Sequence, residues 1–144
     1  MRQAVSPVVE PALCEWHRIV ASGDLAALPA LLHADVVFRS PVAFKPYHGA
    51  ASVALILRTV FGVFSGFAYE RQFASGDGFD VALEFRAHVG GKQLKGIDLI
   101  RFDAEGRIVD FEVMIRPASG LAALADEMSR RLAAAMPVGG PAGA

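Results

Sequence analysis

The chain has 144 residues, which predicts a single domain large enough to bury a substantial core. Its formal net charge of −1 argues against nucleic acid or an anionic membrane as a partner, and its single cysteine excludes an internal disulfide framework and a multi-thiolate metal site. The first ten residues lack the apolar core of a signal peptide, and the apolar run at 53–57 is too short to span a bilayer, so we expect a cytoplasmic protein.

Apolar residues nevertheless make up 53% of the chain. A content this high predicts either an apolar cavity or an apolar face that another subunit covers. We divide the chain into a leader at 1–7, one domain at 8–134 and a flexible, Gly/Pro-rich tail at 135–144.

Three helices are predicted in the first half of the domain. The first is indicated by one apolar stripe at helical spacing: Val9, Leu13, Trp16 and Val20. A short second helix is predicted at 25–32, and a third at 50–64 is apolar nearly all round, so we expect it to be covered on more than one side. A first strand at 36–40 and an ordered loop at 41–49 lie between these two helices.

Four longer strands and a last helix are predicted in the second half. The strands at 67–73, 79–89, 93–103 and 107–116 alternate apolar and polar residues and are separated by Gly-rich turns. An apolar stripe from Leu121 to Leu132 indicates the last helix. Helices followed by a strand meander predict an α+β domain, in which a long, curved antiparallel sheet wraps around the helices.

Asp98 is the residue that does not fit this pattern. It lies on the apolar face of its strand, in the same alternating series as Leu94, Ile100 and Phe102. A carboxylate there must find a partner or take up a proton. Two interpretations stay open: a structural carboxylate satisfied by backbone or arginine, and a protonated acid in an apolar pocket.

The other polar candidates give weaker signals. The four histidines share no ligand-like spacing, so we predict no metal site, and no motif indicates a cofactor. Tyr47 and His48 lie in the loop that prolines hold, a common place for residues at the mouth of a pocket. Trp16 belongs to the core stripe, where its indole N–H needs an acceptor.

In the order of its motifs, the chain resembles the SnoaL-like branch of the nuclear transport factor 2 superfamily between about Leu13 and Met128. The segments that carry the resemblance are Ala21 to Leu25, Asp35 to Phe38, Ser40-Pro41-Val42, Gly49, Gly96-Ile97-Asp98, Arg101-Phe102-Asp103, Gly106 to Val109 and Met114 to Pro117. This resemblance implies a cone in which a bent sheet and three N-terminal helices enclose an apolar cavity, with a C-terminal helix added. It also implies a homodimer through the outer sheet face.

The chain is also distantly similar to ketosteroid isomerase, whose oxyanion-binding aspartate matches Asp98. The tyrosine that assists that aspartate falls on Trp16, and the aspartate base falls on Ser40, which has no charge to act as a base near neutral pH. In a second relative, limonene epoxide hydrolase, the last catalytic aspartate falls on Val113.

We therefore predict a cavity that binds a small, largely apolar molecule, with Asp98 and Trp16 as the polar groups that orient it. Two alternatives stay open: an isomerase or cyclase that acts on a carbonyl compound with Asp98 as its acid and His48 as a substitute base, and a non-catalytic dimerisation module. The ligand-binding residues predicted besides Trp16 are Ser40, Tyr47, Leu83, Phe85, Phe102, Phe111, Val113 and Ile115.

Overall fold

The computed structural model describes residues 4–135, so the first three residues of the predicted leader and all but the first residue of the predicted tail lie outside the described residues. The helices are α1 (Val9–Ser22), a 3-10 helix (Leu25–Leu31), α2 (Ala50–Val63) and α3 (Ala118–Ala135). The strands are β1 (Leu32–Arg39), β2 (Tyr47–His48), β3 (Ser65–Ala74), β4 (Asp80–Val89), β5 (Lys92–Phe102) and β6 (Ile108–Arg116). The α+β class is confirmed.

The six strands form one curved, open sheet in the order β2-β1-β6-β5-β4-β3. Four of the five neighbouring pairs are antiparallel, but β1 runs parallel to β6. The predicted antiparallel meander is therefore present in β3 to β6, and the parallel pair of β1 and β6 makes the whole sheet mixed. The chain between β1 and β6 passes through α2 and four strands, and a crossover of that length allows a parallel pair.

The second helix differs from the predicted one for a local reason. Pro29 lies inside it and has no N–H to donate, and the segment adopts a 3-10 conformation. It ends at Leu31, and β1 begins at Leu32, four residues earlier than the pattern predicted. Before it, α1 ends at Gly23, whose φ of 76° is left-handed and whose N–H bonds to the Ile19 carbonyl.

The inner face of the sheet forms the core with the helices. The buried apolar residues of β4 and β5 alternate as the sequence predicted, with Asp98 in the same series: Val81, Leu83, Phe85, Ala87, Val89, Leu94, Ile100 and Phe102. One cluster of this core contains the buried side chains of α1, the 3-10 helix and α2. A smaller cluster joins Phe85 and Leu94 to Leu124 of α3.

Gly96 shapes the inner face next to Asp98. It pairs with Phe85 of β4, and a Cβ at this position would collide with the Phe85 ring and lie 2.7 Å from the Met114 carbonyl oxygen. Because glycine has no side chain, the Phe85 ring can lie across β5 at this point. Among residues 4–135, no helix is both long and apolar enough to cross a membrane.

Candidate functional site

An apolar pocket of about 140 Å³ lies between the inner face of the sheet, α2, α3 and the segment that follows β1. Its wall is mainly aromatic and aliphatic, with six phenylalanines: Phe38, Phe61, Phe64, Phe67, Phe85 and Phe111. The polar side chains in the wall are Ser40, Tyr47, Asp98 and Ser129, so Asp98 brings the one carboxyl group among these lining residues. Within the described residues, no three His, Cys, Asp or Glu side chains are grouped as metal ligands would be.

Asp98 lies in the middle of the sheet. Its strand neighbours are Leu83 on β4 and Val113 on β6, and only 5% of its surface is exposed. The alternation of β5 turns its side chain inward, into the aromatic pocket. The sequence pattern and the structure therefore agree on the direction of this carboxyl group.

Two hydrogen bonds connect Asp98 to the opposite side of the core. The Tyr69 hydroxyl of β3 donates to Oδ2 of Asp98 at 2.6 Å. The Trp16 indole Nε1–H of α1 donates in turn to the Tyr69 hydroxyl oxygen at 3.0 Å. Trp16 is fully buried, and its indole lies against the rings of Phe61 and Phe111, with centroids 5.9 and 5.3 Å away.

The chemistry of the three groups gives this chain of hydrogen bonds a direction. An indole N–H can only donate, so the Tyr69 oxygen accepts from Trp16, and the Tyr69 hydroxyl in turn donates to Asp98. Oδ2 is therefore an acceptor, the role that suits the carbonyl oxygen of a carboxylic acid. None of the hydrogen bonds of the described residues reaches Oδ1. When Asp98 is protonated, its proton belongs on Oδ1, which is left to the pocket.

Burial is the largest influence on the pKa values of Asp98 and Tyr69. Loss of water raises the pKa of Asp98 from 3.8 to about 7, although the hydrogen bond from Tyr69 opposes the shift. Burial, followed by the neighbouring Asp98 charge, raises the pKa of Tyr69 well above 10.0. Tyr69 therefore remains a neutral donor, while Asp98 changes its charge near neutral pH. No arginine and no backbone N–H of the described residues bonds to Asp98.

Six of the residues predicted to bind a ligand line this pocket: Ser40, Tyr47, Phe85, Phe111, Val113 and Ile115. Leu83, Phe102 and Trp16 do not. They are fully buried in the core cluster that α1 covers, away from the pocket wall. Trp16 is linked to the site through Tyr69 and makes no direct hydrogen bond to Asp98.

The structure does not bring His48 to the pocket wall. Tyr47 and His48 are successive residues of β2, so their side chains point to opposite faces, and it is Tyr47 that lines the pocket while His48 is exposed. Ser40 lines the pocket, but its hydroxyl oxygen accepts the backbone N–H groups of Val42 and Ala43 at 3.0 and 3.4 Å. The last helix contributes Met128, Ser129 and Leu132 to the wall.

Tyr69 is the site residue that the sequence reasoning missed. The sequence pattern makes Tyr69 an ordinary member of the alternating strand at 67–73, although among the described side chains it is the only one that bonds to Asp98. Two signals pointed to such a residue. A buried Trp16 needed an acceptor and a buried Asp98 needed a donor, and a tyrosine hydroxyl can meet both needs at once.

The fold belongs to a known family. The model of the SnoaL-like domain family matches residues 14–111, and the chain belongs to this family, within the nuclear transport factor 2-like superfamily. The resemblance drawn from the sequence motifs is thus confirmed. A search of curated proteins finds no significant match.

Several solved structures are similar over most of the chain. A steroid delta-isomerase from Pseudomonas aeruginosa is 58% identical, with a TM-score of 0.91, over 93% of this chain and 98% of that one. An uncharacterized protein with a cystatin-like fold from Silicibacter pomeroyi DSS-3 is 40% identical, with a TM-score of 0.80, over 88% of each chain. SalBIII, an epoxide hydrolase/cyclase-like enzyme of salinomycin pyran ring formation, shares the fold at 18% identity, with a TM-score of 0.64, over 78% of this chain and 92% of that one.

The raised pKa of Asp98 predicts a pH-dependent contribution to stability. Because the folded protein binds this proton more tightly than the unfolded chain, the contribution is fully present below pH 3.8 and is lost as pH rises to about 7. We expect the free energy of unfolding of the wild type, relative to Asp98→Asn, to fall by roughly 4 kcal/mol between pH 4 and pH 8. Urea denaturation at each pH measures this difference.

The exposed carboxyl variant Glu105→Gln serves as the control, and its difference from the wild type should show no comparable slope. A difference between wild type and Asp98→Asn that stays constant from pH 4 to pH 8 would show that burial does not raise the pKa of Asp98.

Proposed function

We propose that the pocket binds a small, largely apolar molecule with one oxygen function, such as a cyclic ketone or a phenol. The ligand oxygen would hydrogen-bond to Oδ1 of Asp98, and the ring would lie among the phenylalanines. The observation that carries this proposal is the bond from Tyr69 to Oδ2, which leaves the other carboxyl oxygen to an otherwise apolar pocket.

The size of the pocket limits the ligand. A volume of about 140 Å³ is close to the roughly 150 Å³ of a cavity that holds benzene, and below the roughly 300 Å³ at which sites for drug-sized ligands begin. A single ring with a short substituent therefore fits, whereas a molecule with several fused rings would need the pocket to widen. The ligand class we propose is accordingly monocyclic.

The protonation state of Asp98 makes the preference for the ligand oxygen depend on pH. Below about pH 7 the carboxyl group is neutral and donates from Oδ1, which suits a carbonyl oxygen. Above that pH it is ionised and only accepts, which suits a phenol hydroxyl group. A ketone has no hydrogen to donate, so its affinity should follow the neutral form of Asp98.

Cyclohex-2-enone tests this prediction. We expect its Kd, measured by NMR titration, to rise about tenfold between pH 5 and pH 8, because the donor on Oδ1 is lost and one hydrogen bond to a neutral acceptor is worth about 1 kcal/mol or somewhat more. Asp98→Asn should bind it without this pH dependence, since an amide whose oxygen accepts from Tyr69 turns its NH₂ to the pocket. Asp98→Ala should bind it weakly at every pH.

Val113→Ala is the matched control, because it alters a lining residue and keeps the carboxyl group. Its Kd should change in magnitude but keep the pH dependence. Equal affinities for wild type, Asp98→Asn and Asp98→Ala across this range would refute the orienting role of Asp98.

Catalysis by the same pocket is the second candidate function. The 58% identity to a structure described as a steroid delta-isomerase favours it. Double-bond migration in an unsaturated ketone needs a base that takes a proton from one carbon and returns it to another, and a hydrogen-bond donor for the enolate oxygen. Ser40 is engaged by the following backbone and His48 points away, so Asp98 is the one lining carboxyl available for proton transfer. Turnover of a β,γ-unsaturated ketone to its conjugated isomer, abolished in Asp98→Ala, would establish this activity, and its absence would leave binding alone.

We also propose that the protein forms a homodimer through the outer face of the sheet. Four large apolar side chains are exposed there: Phe73, Ile97, Leu99 and Met114. Ile97 and Met114 are paired across β5 and β6, and ion pairs such as Arg71 with Glu84 lie beside the patch. An exposed apolar patch with a charged border is typical of a protein interface.

Sedimentation velocity tests the dimer. We expect a dimer in the wild type and a monomer in Leu99→Lys, because a buried lysine without a partner is costly at such an interface. Val42→Lys, which changes an exposed apolar residue outside the sheet, should remain dimeric. A monomeric wild type at 100 µM would contradict the proposal, as would a Leu99→Lys variant that remains a dimer.

A further inference from the structure

A second concavity lies behind the aromatic wall of the pocket. This outer groove, of about 620 Å³, is formed by the C-terminal ends of α1 and α2, the start of the 3-10 helix and the first half of β3. Phe61 and Phe67 line both the groove and the pocket, so these two rings separate them. The volume falls within the roughly 300–1,000 Å³ that is usual for sites of small molecules.

Tyr69 shows how the two spaces are divided. Its hydroxyl is buried with Trp16 and Asp98, yet the residue as a whole is only half-buried. It is among the residues that line the outer groove, and not among those that line the pocket, so its remaining exposed surface belongs to the groove. A ligand in the groove would contact Tyr69 without reaching Asp98.

The groove combines an apolar floor with a cationic edge. Val20, Leu25, Phe61 and Phe67 supply the floor, and the exposed Arg58 of α2 lines the groove beside them. Arg58 forms no ion pair with any of the described residues. This differs from Arg18 on α1, which is paired with Glu15 and Asp24 at 2.7 and 3.1 Å.

Those two ion pairs also matter for the charge of the groove. Glu15 and Asp24 are the acidic side chains near this end of α1, and Arg18 compensates both of them. His17 lines the groove as well, and it is held by Gln72, whose Oε1 lies 3.0 Å from its Nε2, and by an edge contact with the Tyr69 ring. The positive charge of Arg58 is therefore left for a ligand.

We propose that the outer groove is a second binding site, for an amphipathic monoanion such as an aryl or acyl carboxylate or sulfonate. The apolar part of the ligand would cover Phe61, Phe67 and the Tyr69 ring, and its anionic group would bond to the Arg58 guanidinium. A planar guanidinium matches a carboxylate or sulfonate because it offers paired N–H donors. This site does not depend on the ligand proposed for the pocket.

The probe for the experiment is 8-anilinonaphthalene-1-sulfonate, an aromatic monoanion that is too large for a pocket of about 140 Å³. We expect saturable binding to the full-length protein at one site per chain, followed by fluorescence. Arg58→Gln should weaken the affinity about fivefold or more, the effect of losing roughly 1 kcal/mol from a partly exposed ion pair. Ala21→Glu, which places a negative charge on the groove wall, should weaken it further.

Four controls make the result specific. Arg107→Gln removes an exposed arginine outside the groove and should leave the affinity unchanged. The uncharged analogue N-phenyl-1-naphthylamine should bind equally to wild type and Arg58→Gln. A saturating concentration of cyclohex-2-enone, and the change Asp98→Asn, should leave the binding of the sulfonate unaltered.

The inference is overturned if Arg58→Gln, with a native circular dichroism spectrum, binds the sulfonate as tightly as the wild type. It is also overturned if cyclohex-2-enone displaces the sulfonate, because the two ligands would then compete for one site. If the wild-type protein binds the sulfonate but does not bind cyclohex-2-enone, that result counts against the function proposed for the pocket and not against the groove.

Discussion

The donor-only indole of Trp16 sets the arrangement of the whole site. Its N–H is accepted by the Tyr69 oxygen, the Tyr69 hydroxyl donates in turn to Oδ2 of Asp98, and a single oxygen of Asp98 is left to the pocket. The three residues come from α1, β3 and β5, separated in sequence by 53 and 29 residues along the two bonds. The relative positions of one helix and two strands of the sheet therefore determine the chemistry available to a ligand.

The same constraint explains why an acid is stable in an otherwise apolar space. Removing a carboxyl group from water without compensation is costly, and the raised pKa of Asp98 expresses that cost as a preference for the neutral form. The neutral form needs a donor for its carbonyl oxygen, which Tyr69 provides, and an acceptor for its O–H, which a ligand in the pocket would provide. Gly96, two residues earlier, lets the Phe85 ring close over the strand and complete the apolar wall.

Much of the fold follows from the alternation of apolar and polar residues and from the glycine-rich turns between the strands. The inward face of β4 and β5, and with it the direction of Asp98, was read correctly because the period of a strand is strict. That period gives the face of a residue but not its neighbours across the core. Leu83 and Phe102 have the same inward direction as Phe85, yet α1 covers them while the pocket remains beside Phe85. The role of Tyr69 also depended on three-dimensional placement, since β3 is irregular between Tyr69 and Gln72.

The central claim is that Tyr69 donates to Asp98 and holds its pKa below the value that burial alone would give. Carbon-13 NMR titration of the Asp98 carboxyl group in the wild type and in Tyr69→Phe tests it most directly, with Tyr47→Phe as a control that alters a lining tyrosine. We expect the pKa of Asp98 to be about 7 in the wild type and in Tyr47→Phe, and higher in Tyr69→Phe, because the donor that favours the carboxylate is lost. An Asp98 pKa that is the same or lower in Tyr69→Phe would contradict it.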